Sequence, residues 1–319
     1  MQKLISCDWG TSALRLRIID IDKIAVLGEV TNTQGISSTF DLWQKSGKNG
    51  DERISFYQSI LSEQIKKLEA QLQFSLDDAP LIISGMASSN MGIMELPYKE
   101  APFSLDGHDL IIKKIEGNNN FGHTTIIISG VRTGSDVMRG EETQLIGSIN
   151  KDDKEDQVFI FPGTHSKHIS IKNGKVTDLE TYMTGEFFDL LSKKSVLLNT
   201  IEEVANLLNA PNLESFEKGV KDSCHSNLLH NSFLVRTNYL LGKLSKQENY
   251  AYLSGILIGT ELNELPTVKI PLTIVGDAAL NKYYATAAKI LGAQKVNSKD
   301  AARAVINGHH KIYSTFPAL

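Results

Sequence analysis

The sequence predicts an α/β protein built as two similar domains, and three observations predict it. Short apolar runs alternate with stretches of helical spacing. Small-residue loops follow the C-terminal ends of the apolar runs. A pattern of strand, Gly-Thr turn and alternating strand occurs twice, 153 residues apart. Strands that alternate with helices build sheets with parallel pairing, and such sheets bind ligands at the loops beyond the strands' C-terminal ends.

The elements follow in order. Lys3 to Ile24 reads as a two-stranded hairpin, interrupted by Gly10, Thr11 and Ser12. Helical spacing comes next, with Ile54, Tyr57, Ile60, Leu61, Ile65 and Leu68 on one face. "APLIISGMASS" is an apolar run that Pro80 introduces and Gly85 ends, the mark of a buried strand with a small-residue loop, and "TTIIISGV" at 124–131 repeats the design. "GEETQLIGSI" is helix-like. The charged "NKDDKEDQ" at 150–157 reads as a solvated connector between domains 1–149 and 150–319, with the last helix packing back on the first domain. Sliding the chain by 153 positions lays "VFIFPGTHSKHISIKNGKV" on "LISCDWGTSALRLRIIDID". Gly163 falls on Gly10, Thr164 on Thr11, Ile169 on Leu16 and Ile171 on Ile18, with Phe161 in the place of Asp8. "VGDAALNKYYATAAKILG" reads as strand, turn and helix.

A chain of 319 residues buries a sizeable core without staples. Its net charge of −4 argues against a dedicated nucleic-acid or membrane-surface binder. Cys7 and Cys224 are the only cysteines and show no CxxC spacing, which leaves no disulfide framework or zinc site and suits a reducing cytoplasm. Ser6 and Asp8 cut the first apolar run before it reaches the length of a secretory core, and no stretch approaches the ~20 apolar residues of a membrane span. The expectation is a soluble, cytoplasmic protein. His165 and His168 are three apart in a hairpin, which sends them to opposite faces and argues against a metal pair. His309 and His310 read as surface residues.

Glycine in a hairpin turn lets the backbone approach a ligand, and neighbouring amides with Thr or Ser hydroxyls can wrap an oxyanion. Two such hairpins facing each other would grip a polyphosphate from both sides; a single Gly-Thr turn can equally be no more than a turn. No G-x-x-x-x-G-K-[ST] or G-x-G-x-x-G loop offers another cradle. Asp8 can hold Mg²⁺ directly or through water, because this cation prefers oxygen ligands and keeps several waters.

"DWGTS" and the duplicated hairpin resemble the actin-like ATPase and sugar-kinase superfamily. "DWGTSALR", "SGMASSNMG", "VMRGEETQLIG", "FPGTHSKH", "TGE", "YLSGILIGTEL" and "IVGDAALNKYY", in that order over nearly the whole chain, resemble the 2-dehydro-3-deoxygalactonokinase family. The resemblance implies two ribonuclease H-like (actin-like ATPase) domains with an interdomain cleft. It also implies transfer of phosphate from ATP, with Mg²⁺, to the 6-hydroxyl of 2-dehydro-3-deoxy-D-galactonate. The substrate expected is a small sugar acid, with no nucleic acid and no membrane as partner; the oligomeric state stays open, a dimer included. Another sugar acid or sugar as acceptor, or an actin-like ATPase that is no enzyme, are the alternatives.

Residue by residue, the resemblance gives Asp8 to the metal and Gly10, Thr11 and Ser12 to phosphate. Gly163, Thr164, His165, Ser166 and Lys167 would take phosphate from the second copy. Gly276, Asp277, Ala278 and Asn281 fall where actin-like proteins take the adenosine, although a plain strand-turn-helix connection would look the same. The loop with Met86, Ser88, Ser89 and Asn90 would face the sugar acid, with Arg132 and Arg139 as carboxylate or phosphate partners; the methionine suits a core equally well and the arginines an ion pair. "GEETQLIG" resembles the Gly-Asp-Gln helix start of the wider FGGY sugar kinases, which puts the catalytic base at Glu141, with Glu142 and Asp136 as rivals. Acids in the first turn of a helix also simply suit its dipole.

Overall fold

The structure, a computed structural model, describes residues 2–77, 79–150, 155–265 and 270–316, so residues 151–154 of the expected charged connector lie outside the described residues. The chain divides into two compact units. One comprises Met1–Asp153, Gly174–Thr177 and Ala302–Leu319, the other Lys154–Asn173 and Asp178–Ala301. No helix among the described residues is long and apolar enough to cross a membrane.

The first unit opens with β1 (Lys3–Trp9), β2 (Leu14–Asp20) and β3 (Ala25–Asn32), each antiparallel to the next. The third strand departs from the two-stranded hairpin expected; Gly28 and its half-buried neighbours give it no clean alternation to read. Helices α1 (Ile36–Lys45) and α2 (Arg53–Leu72) follow. Tyr57, Ile60, Leu61, Ile65 and Leu68 of α2 are buried in the core as their spacing predicts. Strand β4 (Leu81–Gly85) runs parallel to β1, and after the two-residue strands β5 (Lys99–Glu100) and β6 (Phe103–Ser104) come β7 (Ile112–Ile115) and β8 (Thr125–Ile128). The two-residue strands β9 (Val131–Arg132) and β10 (Val137–Met138) make a small sheet with β5 and lead into α3 (Glu141–Ser148). The main sheet runs β3-β2-β1-β4-β8-β7. Every residue of β4 and β8 is buried, which is why they read as unbroken apolar runs.

The second unit holds β11 (Gln157–Phe161), β12 (Ser166–Lys172) and, from Asp178 on, β13 (Lys175–Tyr182), then α4 (Thr184–Lys194), α5 (Asn212–Ser223), α6 (Leu228–Leu240) and α7 (Lys246–Leu262). Strand β14 (Leu272–Gly276), helix α8 (Ala278–Ile290) and β15 (Val296–Asp300) complete it. The order β15-β14-β11-β12-β13 repeats β8-β4-β1-β2-β3 of the first unit, with β11 and β12 antiparallel and β14 parallel to both β11 and β15. Each unit thus has ribonuclease H-like, actin-like topology.

The repeat carries a one-residue correction. Cys7 pairs with Ile83, two before the end of β4, and Ile160 pairs with Ile274, two before the end of β14, so β1 matches β11 at 153 residues. Across the hairpins, however, Asp8 pairs with Arg15 while Phe161 pairs with Lys167. The second turn is one residue shorter, and β12 matches β2 at 152. His168, not Ile169, therefore takes the place of Leu16, and Ser170, not Ile171, that of Ile18. An ungapped slide conceals such a slip, because a strand buried on both faces reads alike in either register.

The last helix, α9 (Ala301–Thr315), is counted from Ala302 with the first unit. Val305, His309 and Ile312 share its buried face, and this corrects the reading of the two histidines as surface residues. His309 is fully buried and bridges the hydroxyls of Ser6 on β1, at 2.6 Å, and Ser84 on β4, at 3.0 Å. Burial pushes its imidazole down to about 3, with a smaller push from Arg17. His310 is half-buried, its Nε2 3.1 Å from the carbonyl of Ile21.

Candidate active site

Each Gly-Thr turn is held by the start of the helix that follows its sheet hairpin. The first closes through Gly10 N–H to the Ala13 carbonyl at 2.9 Å, and the first amides of α1 donate to its carbonyls, Ile36 to Gly10 at 2.9 Å and Ser37 to Thr11 at 3.1 Å. In a trans peptide the N–H points away from the C=O of the same unit. The amides of Thr11 and Ser12 therefore point away from α1, and both residues are exposed. In the second turn Glu186 of α4 donates to the Thr164 carbonyl at 3.0 Å, which turns the His165 amide away from α4 in turn. Glycine permits both close approaches: a Cβ on Gly35 would lie 2.2 Å from Thr11 O, and one on Gly185 would lie 2.5 Å from Gly163 O. Outward amides beside hydroxyls suit an oxyanion.

The residues around the second turn divide by accessibility. Gly163 and Thr164 are exposed, and His165 holds Glu186 with its Nε2 2.5 Å from the carboxylate. Ser166 is fully buried and donates to Glu261 at 2.6 Å, so its hydroxyl braces the hairpin from below. Glu261 of α7 also meets His168 at 2.8 Å and accepts from Tyr284 at 2.7 Å and from Thr184. One buried carboxylate thereby ties the hairpin to α4, α7 and α8. Its charge, after burial, helps push the Tyr284 hydroxyl well above its ordinary range. The two histidines of the hairpin go to different carboxylates.

Beside this turn opens a cavity of about 380 Å³, lined by Gly163, Thr164, Gly185, Leu257, Leu280 and Tyr284 among others. Gly276, Asp277, Ala278 and Asn281 are not in its lining. Asp277 caps α8, accepting from the amides of Ala279 and Leu280 at 2.9 Å each, and the Asn281 amide donates to the carbonyls of Gly276 and Lys299. The turn after β14 thus brings Leu280 and Tyr284, one turn into the helix, to the cavity. Neither carries a signal in the sequence beyond helical spacing.

In the first unit Asp8 sits at the end of β1 beside Ser84 of β4, and its carboxylate pairs with Arg15 at 3.1 Å. Gly140 has a φ of +106°, and a Cβ there would lie 3.4 Å from Gly85 Cα, so α3 begins at the end of β4. Glu141 is half-buried and accepts from the Arg139 amide at 3.1 Å. Glu142 is fully buried, accepts from Gly140 N–H at 2.7 Å and meets the Thr143 hydroxyl at 3.1 Å. Burial, then the charge of Glu141, pushes its carboxyl up to about 8. Asp136 lies in the β9–β10 turn, where it accepts from Val137 N–H at 2.7 Å.

The 86–92 loop is clamped from two sides. Arg139 donates to the Ser88 carbonyl at 2.7 Å and hydroxyl at 2.8 Å and to the Tyr98 hydroxyl at 3.1 Å, and stacks 4.0 Å over the Tyr98 ring. Arg53 of α2 donates to the carbonyls of Gly92, at 2.8 Å, and Asn90. Arg139 is therefore a clamp of this loop, its fork committed within the unit. Ser88 is buried, Ser89 donates to the Met86 carbonyl at 2.8 Å, Met86 packs against the core, and the Asn90 side chain is exposed. Arg132 pairs with Glu100 on the surface. Arg53, Tyr98, Glu186 and Glu261 carry much of this geometry. Sequence reasoning passed over Arg53, Tyr98 and Glu261 because each lies far along the chain from what it holds.

Comparison with known proteins identifies the family. The family model for 2-keto-3-deoxy-galactonokinase matches residues 8–312. A relative from Rhizobium meliloti (strain 1021), assigned as a 2-dehydro-3-deoxygalactonokinase, is 30% identical over 311 residues, 93% of each chain. The 2-dehydro-3-deoxygalactonokinase of Escherichia coli (strain K12) is 30% identical over 228 residues, 68% of this chain and 72% of its own. A crystal structure from Sinorhizobium meliloti, assigned to the same activity, superposes with a TM-score of 0.79 at 29% identity, covering 99% of this chain and 98% of that one. The chain belongs to the 2-keto-3-deoxy-galactonokinase family.

Proposed function

We propose that this chain transfers the terminal phosphoryl group of ATP to the 6-hydroxyl of 2-dehydro-3-deoxy-D-galactonate, in the cytoplasm, giving ADP and 2-dehydro-3-deoxy-6-phospho-D-galactonate. The observation that carries the reading is the family match over residues 8–312, which takes in both Gly-Thr turns and the 86–92 loop. The two units are read as its two domains. The outward amides of Thr11, Ser12 and His165, with the hydroxyls of Thr11, Ser12 and Thr164, are the proposed phosphate contacts, and the cavity beside Gly163 and Tyr284 the proposed adenosine pocket. Its volume suits a nucleoside, and its apolar walls with a few hydroxyls suit a flat base.

Phosphoryl transfer to a hydroxyl needs charge neutralisation on the phosphates and a carboxylate to accept the proton. Glu141 is the proposed base. Glu142 lies wholly inside, with both oxygens engaged in its own helix turn, and cannot reach a substrate hydroxyl. Among the described residues no group of three or more His, Cys, Asp or Glu is set to hold a metal. Mg²⁺ held by phosphate oxygens and water needs only one or two carboxylates, so the Asp8 carboxylate beside the first turn fits it. Mg²⁺, when bound, supplies charge neutralisation on the phosphates.

The test is ADP release across 2-keto-3-deoxy sugar acids that differ at one stereocentre, with neutral sugars as controls. Turnover is expected with the galactonate-derived acid above the others. Background rates on every acid would overturn the named substrate.

A further inference from the structure

Helix α6 is inside out. Its buried residues are Asn231, Val235 and Asn238, and the Asn238 side-chain nitrogen is buried without a hydrogen-bond partner. Its opposite side presents Leu229, 83% exposed, Phe233, 54%, and Leu240, 63%. Spacings of four, three and four place Leu229, Phe233, Arg236 and Leu240 on one stripe. Of the thirteen large apolar side chains that stand exposed among the described residues, ten lie between Met183 and Leu241. They belong to or adjoin α4, the turn Leu198–Thr200 and α6; α4 and α6 each pack on that turn and on α7. At roughly 100 Å² apiece they offer about 1,000 Å², against the ~800 Å² per partner of a standard specific interface. A soluble chain does not leave a patch of this size uncovered without a partner.

The stripe matches itself. When two copies of α6 run antiparallel about an axis midway between Leu234 and Val235, Leu229 of each faces Leu240 of the other, and Phe233 faces Arg236. Both pairings come from one axis position, as a two-fold isologous contact demands. The only charged side chain on the stripe, the half-exposed Arg236, donates through Nη1 to the Val196 carbonyl at 3.0 Å, and its guanidinium plane then lies against an aromatic face, a favourable cation–π arrangement. The helix has no acidic residue that a different, basic partner would seek. We propose that this face of α6 is the self-pairing surface of a two-fold homodimer.

Sedimentation of the full chain at micromolar concentration tests it. The wild type is expected at twice the 35.2 kDa monomer mass. Phe233→Arg sets two guanidinium groups against each other and is expected to halve the mass. Phe233→Glu sets a carboxylate against Arg236 and is expected to keep the dimer, and Phe233→Arg with Arg236→Glu to restore it. Circular dichroism melts check that each variant folds; the substituted Phe233 is exposed, so folding should persist. A monomeric wild type overturns the proposal. So does a dimeric Phe233→Arg, and so does a Phe233→Glu that dissociates as readily as Phe233→Arg.

Discussion

Glu141 and Glu142 are neighbours in one helix turn, yet their surroundings give them different capacities. Glu142 has no solvent and two internal partners; Glu141 is half-buried at the end of the sheet that also presents Asp8. Replacing Glu141 by Gln should lower kcat by ~10² or more while leaving the KM for ATP nearly unchanged, as loss of a general base does. Steady-state kinetics with ATP varied will check it; near-full turnover in Glu141→Gln would move the base elsewhere. At this scale the sequence was legible as to position, with Asp8 near the end of β1 and each Gly-Thr turn beyond an apolar strand. It was illegible where a side chain's role depends on a distant partner: Arg139 and Ser166 look like ligands until their bonds to Ser88 and Glu261 are seen, and His309 looks like a surface residue until its helix face is known.

The hairpin, its glycine and the helix that donates to its carbonyls form one repeated device. Alanine at Gly185 or Gly35 would drive a methyl group into turn backbone, which cannot yield as a flexible side chain does. Each substitution should cost on the order of 1–3 kcal/mol, in the range of other overpacking changes. Gly50→Ala, where nothing lies within 4 Å, should be silent. Thermal melts of the three variants compare them directly; equal melting temperatures would mean the turns do not depend on this contact. The sequence displayed the hairpins, β4, β8 and the α2 face because each follows from local periodicity. It hid β3 and the one-residue slip in the second hairpin, which are settled by pairing between strands.

Two buried groups give the whole first unit a stability profile in pH. The His309 imidazole is held near 3, below its ordinary 6.5, so the neutral form favours folding; that stability is complete above 6.5 and is lost as pH falls toward 3. Glu142 is held near 8, above its ordinary 4.5, so its stability is complete below 4.5 and is lost as pH rises toward 8. The two slopes oppose each other between 4.5 and 6.5. Melting temperature should therefore be level there and fall on either side, each limb amounting to about 2 kcal/mol at ~1.4 kcal/mol per unit. Glu142→Gln should remove the alkaline fall. A wild-type melting temperature that climbs from pH 6.5 to 8 would sink this account.

The position of α9 also governs the order in which the molecule can be made. The first unit lacks the imidazole between β1 and β4 until residues beyond 309 have been added, although its own sheet is complete by residue 128. At the usual 5–20 residues per second, the ribosome supplies that helix roughly ten to forty seconds after the last strand of the sheet. During that interval the nascent first unit holds an unfilled groove over Ser6 and Ser84, and a chain that stops early never fills it. The second unit is complete at Ala301, just before the rest of α9 is made, and so can finish folding first, reversing the order of synthesis.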